Sequence, residues 1–457
     1  MSNKIRELFS ILGGDKVFTD PFDLISHSTD PGGIRGHVDA VVRAESVDDV
    51  IATVRFCRKY KIPLTPQGAL SSLTGSAVPF GGIVLDLQKM CKIEEINIED
   101  SYVVVEPGLR VEELNEELKK HGFYFPVDPT SSAVATIGGA IASGAGGIRG
   151  AKFGTIRDWT LGLDVVIGTG DLIKVGCRTV KCRQGYDLTR LFVGSEGTLG
   201  VIVKAVLQIH PIPEAVNRIV AFFSEYRDGV RAVREIKKAK IVPLAMEFMD
   251  KATMDLVSKF VGFEIPPKSE FALIVDVDAP KESIGRISEE VELILKRCGA
   301  VITSSDLSKE EIEKVFVMRK SATSTIINTS KIASFSEDVT VPPSKLPELM
   351  AEIYKIKEKY NINLFVFGHI ADGNIHPRVA INSEEDFEKA KKVFREIGIK
   401  AIEMGGTTSG EHGIGIMKKD LLKYEFESRG SPIALEIMRK IKRIFDPDNI
   451  MNPGKII

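Results

Sequence analysis

The sequence is short of several residues and patterns that would mark common classes of protein. Cysteine occurs only five times in 457 residues, as Cys57, Cys91, Cys177, Cys182 and Cys298. None forms a C-x-x-C pair, so the chain offers no cysteine framework for an iron–sulfur cluster or a cysteine zinc site, and free thiols are expected. An excess of one charge is also missing. With 61 Lys and Arg against 63 Asp and Glu, the net charge of −2 gives no broad attraction for nucleic acid or an anionic membrane. No apolar run reaches membrane-spanning length. The opening MSNKIRELFSILGG reads as a short amphipathic helix and not a signal peptide, because charges interrupt it. A cytoplasmic protein is expected, and peripheral attachment to a membrane through a partner is compatible with it. The Gly-Lys-Ser/Thr triplet of nucleotide hydrolases is absent, and Arg149 stands where the nicotinamide fingerprint needs its third glycine.

What is present in quantity is glycine, in one place. Pro126 to Gly154 reads PVDPTSSAVATIGGAIASGAGGIRGAKFG, with seven glycines between Gly138 and Gly154 and no charge between Asp128 and Arg149. Such a run brings backbone N–H groups close to something flat or anionic, where a Cβ would obstruct the approach. A second phosphate-binding loop is Pro66-Gln67-Gly68-Ala69-Leu70-Ser71-Ser72-Leu73-Thr74-Gly75, between two strand-like segments. Its hydroxyls stand beside backbone donors. The first 213 residues read as α+β, with a capping box at Ser46 and Asp49. Pro211 and Pro213 mark a boundary. Apolar strands then alternate with charged helices as far as Met404, as in a separate α+β domain.

Histidine is the other informative residue, with only seven in the chain. His369-Ile370-Ala371-Asp372-Gly373-Asn374-Ile375-His376 holds Asp-Gly between strand residues, the signal for a two-residue hairpin turn. Centring the turn on Asp372-Gly373 pairs His369 directly with His376, their Cβ atoms roughly 5 Å apart. That separation suits two imidazoles on one divalent metal. Gly410-Glu411-His412-Gly413 offers a carboxylate to complete the ligand set and, in His412, a general base that glycines leave approachable. Arg319 can grip a carboxylate bidentately.

These pieces, in this order, resemble one family from about Val38 to Gly454. It is the FAD-linked oxidases and dehydrogenases with a vanillyl-alcohol-oxidase type of flavin domain, in the branch of D-lactate dehydrogenase, glycolate oxidase and D-2-hydroxyglutarate dehydrogenase. Gly194-Ser195-Glu196-Gly197-Thr198-Leu199-Gly200 and Asp446-Pro447-x-x-Ile450-x-Asn452-Pro453-Gly454 complete the match. The resemblance implies an α+β fold. An FAD-binding domain (1–213) would be completed by a C-terminal segment (405–457), with a ferredoxin-like α+β cap (214–404) inserted between them. It implies FAD contacts at Pro66, Gln67, Gly68, Ala69, Leu70, Ser71, Ser72, Pro129, Thr136, Gly138, Gly139, Ser143, Gly146, Gly147, Gly154, Glu196, Gly197, Ile202, Asn374, Glu411 and Asn452. It implies a divalent metal, zinc foremost, on His369, His376 and Glu411, with His412 as base and Arg319 and Thr323 at the substrate. No histidine lies between Gln67 and Gly75, so FAD is expected to be non-covalent.

The implied reaction oxidises a small D-2-hydroxy acid, D-lactate or glycolate, passing a hydride to flavin N5. An electron acceptor or iron–sulfur partner subunit would follow, and a homodimer is compatible. The chain departs from the family at Gln67, where an arginine is usual, and at Ser336-Glu337, where some members carry a lysine. The second departure disfavours a dicarboxylate. The alternatives are D-2-hydroxyglutarate oxidation, another flavoenzyme of the same fold such as an ether-lipid synthase or alditol oxidase, and an FAD-binding electron-transfer subunit.

Overall fold

The structure is a computed structural model and describes residues 2–457. The chain folds into two compact units. The first comprises residues 1–146, 155–212 and 411–457, and the second 147–154 and 213–410.

The first unit contains two principal sheets. In one, Ala40–Arg43, Ile83–Asp86 and Leu64–Gln67 lie parallel, with Val17–Phe18 antiparallel at the edge. These strands are short apolar runs buried on both faces, the pattern of a covered parallel sheet. The helix Val47–Tyr60 starts at the expected capping box of Ser46 and Asp49 and ends at Lys61 in the left-handed region. Its Val50, Val54 and Phe56 join Val42, Leu64, Ile83 and Leu85 in one core. The other sheet is antiparallel, in the order Ile93–Asn97, Tyr102–Val105, Gly200–Gln208, Thr160–Ile167, Leu172–Gly176. The C-terminal tail is docked on the parallel sheet. Leu64 N–H donates to the Ile450 carbonyl at 2.8 Å, and Asn452 N–H to the Leu64 carbonyl at 2.8 Å. Buried Lys442 ties the tail down by donating to the Met451 and Thr198 carbonyls and to the Asp446 carboxylate.

The second unit is built on one antiparallel eight-stranded sheet. Its order is Ala300–Thr303, Ala215–Phe223, Phe271–Ala279, Ala245–Asp250, Leu364–His369, Asn374–Ile381, Ala333–Ser336, with Val339–Thr340 also paired to Asn374–Ile381. The helices Lys251–Val261 and Lys309–Thr329 cover one face, burying Phe222, Met249, Met318, Ala322, Phe365 and Phe367 together. The short segment 147–154 belongs here, with the Lys152 ammonium on the Asp278 carboxylate.

Two expectations are corrected. Cys177 and Cys182 are disulfide-bonded and are not thiols; five positions apart in a loop, their Cα atoms stand 6.3 Å from each other, within bridging range. Cys57, Cys91 and Cys298 are free. The second correction is the hairpin register. His369 pairs with Asn374 and His376 with Phe367, so 370–373 form a four-residue loop and the histidines are diagonal neighbours, not direct ones. Among the described residues, no helix is long and apolar enough to cross a membrane.

Candidate active site

The glycine loops of the first unit form a cradle of backbone donors. From Gly68 to Leu73 the backbone N–H groups donate to no other protein group among the described residues, and Leu70 is held in the left-handed region at φ 54°. The loop is braced from its ends. The buried Gln67 amide donates to the His27 carbonyl at 2.9 Å and the Ala77 carbonyl at 2.7 Å, and Asp30 accepts from Gly75 N–H at 2.9 Å. The position where a cation was missed therefore holds a structural strut.

The second glycine run abuts this loop. A Cβ on Gly68 would stand 2.2 Å from Thr136 Oγ1, and one on Gly138 would stand 2.6 Å from the Pro107 Cβ. Thr136 caps the helix Ile137–Ser143 by accepting from Gly139 N–H. Glycine is thus required where the two loops touch. Open N–H donors on a braced, half-buried loop match the chemistry of a pyrophosphate, so FAD fits.

Of the other expected cofactor residues, Ala69, Leu70, Ser71 and Ser72 line the open loop, and Pro129 and Ser143, in the second glycine run, are half-buried. Gly197, at φ 70°, packs on Pro66. Ile202 is buried in the antiparallel sheet. Asn452 donates to the Ser76 and Glu196 carbonyls, both at 2.7 Å. Gly146 lies against Glu411: a Cβ there would be 2.8 Å from Glu411 Oε2. Gly147 and Gly154 fall in the second unit.

Glu196 positions the segment after His412. Its carboxylate accepts from Ile414 N–H at 2.6 Å and Gly415 N–H at 2.8 Å, and burial pushes its carboxyl up to about 7. Thr74 Oγ1 donates to the His412 carbonyl at 3.4 Å, so the chain is tied down at the His412 carbonyl and again just beyond it. His412 Nε2 stands 3.9 Å from Glu411 Oε1, and both side chains are half-buried.

The second unit carries a polar cluster on an otherwise apolar sheet face. His369 and His376 meet edge-on with ring centroids 5.1 Å apart. Below them is Glu247, which sequence reasoning missed. It lies opposite His369 on the neighbouring strand, takes His369 Nδ1 at 2.6 Å and pairs with Arg319 Nη2 at 2.6 Å. An ionised carboxylate only accepts, so the His369 proton sits on Nδ1 and the lone pair on Nε2, the arrangement of a ligand histidine. Arg319 is thereby engaged with an acid of its own unit. It also lies over the Phe367 ring. Thr323, one turn on, is half-buried.

Asp338 was missed as well. Fully buried, it accepts from Asn374 Nδ2 at 2.7 Å, Ser409 Oγ at 2.9 Å and Gly410 N–H at 2.9 Å, and stands 3.8 Å from His376 Nδ1. It therefore orients Asn374 and fixes the backbone immediately before Glu411. The third missed residue is Arg378, buried and pushed down to about 10 by loss of solvent. The signal for Glu247 and Arg378 was a charged residue inside a strand of buried neighbours, as in Ala-Met-Glu-Phe-Met-Asp; Asp338 lies in the link between Ala333–Ser336 and Val339–Thr340. Two imidazoles with oriented carboxylates behind them fit a borderline divalent cation such as zinc.

Comparison with known proteins bears on the FAD cradle. Residues 38–176 match the FAD binding domain family, and residues 212–456 match the C-terminal domain of FAD linked oxidases. The chain is 36% identical to the glycolate oxidase subunit GlcD of Bacillus subtilis, over 92% of this chain and 88% of that protein. It is 32% identical to a D-lactate dehydrogenase of Anaerostipes hadrus, over 100% and 97%. Identity to a D-2-hydroxyglutarate dehydrogenase of Stutzerimonas stutzeri is 31%, over 99% and 98%. Among solved structures, p-cresol methylhydroxylase superposes with a TM-score of 0.81 over 100% of this chain and 96% of that one; at 18% identity this speaks for the fold alone, which is of the vanillyl-alcohol-oxidase type. The chain belongs to the FAD-linked oxidase family, in the group whose named relatives are D-lactate dehydrogenases and glycolate oxidase subunits.

Proposed function

We propose that this chain oxidises a small D-2-hydroxy acid, D-lactate or glycolate, to the 2-oxo acid. The observation that carries the reading is the imidazole pair on one sheet face, with Glu247 fixing the His369 tautomer. A purely electron-transferring or scaffolding subunit has no use for it. The names of the relatives point the same way.

Non-covalent FAD, when bound, supplies the acceptor for the hydride leaving the substrate Cα. A divalent ion on His369 and His376, with Glu411 as the carboxylate ligand, would supply Lewis-acid polarisation of the hydroxyl. The chain's own part is acid–base work and positioning. His412, neutral, accepts the hydroxyl proton on its imidazole, its backbone fixed by Thr74 and the Glu196 clamp. Glu247 holds the His369 ring, and Arg319 holds Glu247. A partner electron-carrying subunit fits a chain whose relatives include a named oxidase subunit. A second reading, an acid with a second carboxylate, is favoured by one observation: Arg378 stands directly across from Ser336, where a cation had seemed to be missing.

Anaerobic mixing of the FAD-loaded protein with a panel of D- and L-2-hydroxy acids tests the reading. The D-acids should bleach the flavin and the L-acids should not; a flavin unbleached across the panel would sink the proposal. His412→Ala should keep its FAD and be reduced ~10²–10⁴-fold more slowly. Elemental analysis should find a metal in the active protein that His376→Ala lacks.

A further inference from the structure

Two arginines are buried on the histidine-bearing face of the second unit, and the protein treats them differently. Arg319 has Glu247 as its counter-charge at 2.6 Å. Arg378 has none. Its side chain is 2% exposed, Nη1 donates to Ser334 Oγ at 3.0 Å, Nε makes no hydrogen bond, and no carboxylate of the described residues pairs with it. Holding a guanidinium in a core without a counter-ion is costly, and a replacement of similar shape without charge would ordinarily be more stable.

Its placement gives the cost a purpose. In a strand, residues two apart share a face, so Arg378 lies on the His376 side of Asn374–Ile381, about 6.6 Å further along at 3.3 Å per residue. On one side Ser336 stands directly opposite and Ser334 beside it, so two small hydroxyl residues flank Arg378 there, while on the other neighbouring strand Phe365 is its cross-strand partner. The other face, with Phe335 and Val379, packs against Phe387 and Phe394 of the helix Glu384–Glu403. The guanidinium is thus displayed to the layer that holds the histidines.

We infer that Arg378 is an anchor for a substrate carboxylate, supplying the positive charge that Arg319, already neutralised by Glu247, does not. The inference rests on the proposed oxidation of a hydroxy acid. A planar guanidinium with unused N–H groups makes a forked pair with a carboxylate, and an acid entering the site completes the missing half of a buried ion pair. The carboxylate is the one next to the reacting carbon in a monocarboxylic acid, or the distal one in a dicarboxylic acid.

The test uses the FAD-loaded full chain as wild type, Arg378→Met and Arg378→Lys. Each is titrated anaerobically with D-lactate, with D-2-hydroxyglutarate and with the uncharged amide of D-lactate, and the acid-induced rise in melting temperature is read alongside the half-saturating concentration for flavin reduction. Losing a charge-assisted pair should weaken acid binding roughly ten- to hundredfold in Arg378→Met and leave the amide unaffected, with Arg378→Lys between the two. The acid-free melting temperature of Arg378→Met should equal or exceed that of wild type, and the acid should no longer raise it. Loss with both acids assigns the carboxylate beside the reacting carbon, and loss with the dicarboxylate alone assigns the distal one. Acid binding in Arg378→Met equal to wild type overturns the inference, as does equal loss of acid and amide. If wild type responds to neither acid, the function falls first and the inference with it. Should Arg378→Met not fold, Arg378→Lys decides on the same acid-against-amide comparison.

Discussion

Glu196 is the residue most at odds with its surroundings. A non-glycine at φ 51°, wholly buried, it accepts two backbone N–H groups of the segment following His412. Hydrogen bonding favours its ionised form; burial opposes it and wins, pushing the carboxyl from 4.5 up to about 7. The folded protein therefore holds a proton there over a range in which the unfolded chain has lost it. Below about pH 4.5 both states are protonated and nothing is lost. As pH rises toward about 7, only the unfolded state ionises, so stability falls by about 3 kcal/mol across that window. Glu196→Gln keeps the shape without the titration. Its melting temperature should be flatter than wild type between those pH values, and an unchanged slope would mean that another group carries it. The residues legible in the sequence were those with few neighbours of their kind, His369, His376 and His412. Glu247 and Arg378 were not, because a charge inside an apolar strand has no motif and declares itself only when its cross-strand neighbour is known; Asp338, in the link after Ala333–Ser336, declares itself only through the distant Asn374 and Gly410 groups that donate to it.

At the level of elements, short-range signals were reliable where short-range forces decide. The capping box at Ser46 and the strands flanking the histidines follow from local chemistry. The hairpin register does not. Asp-Gly alone specifies a two-residue turn, yet Gly373 packs its Cα against the Val341 carbonyl, which leaves no room for a Cβ, and Val341 N–H returns a hydrogen bond to Gly373. Contact with a third segment opens the loop to four residues and moves the histidines to the diagonal. The contact between the cofactor loops is similarly tight and gives a sharper test. Gly68→Ala would drive a methyl group into Thr136 Oγ1 at 2.2 Å, so the two loops must part. The purified variant should carry much less FAD than wild type, read as the ratio of flavin to protein absorbance. Thr136→Ala on the same chain removes the clashing atom and leaves the Thr136 Cβ at 3.4 Å, so the double variant should regain part of the FAD. Full FAD in Gly68→Ala would mean that the loop contact does not shape the cradle.

Across the whole molecule, balanced charge and near-neutral hydropathy said only that the chain is globular; order of motifs said more, because each glycine or histidine cluster closes one piece of the fold. The first unit is assembled from three separated stretches and the second from two, and each has its own apolar core, around Leu64 and Ile83 in one and Phe222 and Phe367 in the other. The open N–H donors of Gly68 to Leu73 lie in the first unit. So does Trp159, the only tryptophan, buried and edge-on to His210. Tryptophan fluorescence therefore reports on the unit assigned to the FAD pyrophosphate, while calorimetry reports on both. Free FAD at ~100 times its dissociation constant should stabilise the state that binds it by about 2.7 kcal/mol, which for a unit of this size is a rise of roughly 5–10 °C in its melting temperature. The tryptophan-monitored transition of protein stripped of FAD should move up by that amount when FAD is restored. If it does not move while the flavin stays bound, the FAD has been assigned to the wrong part of the chain.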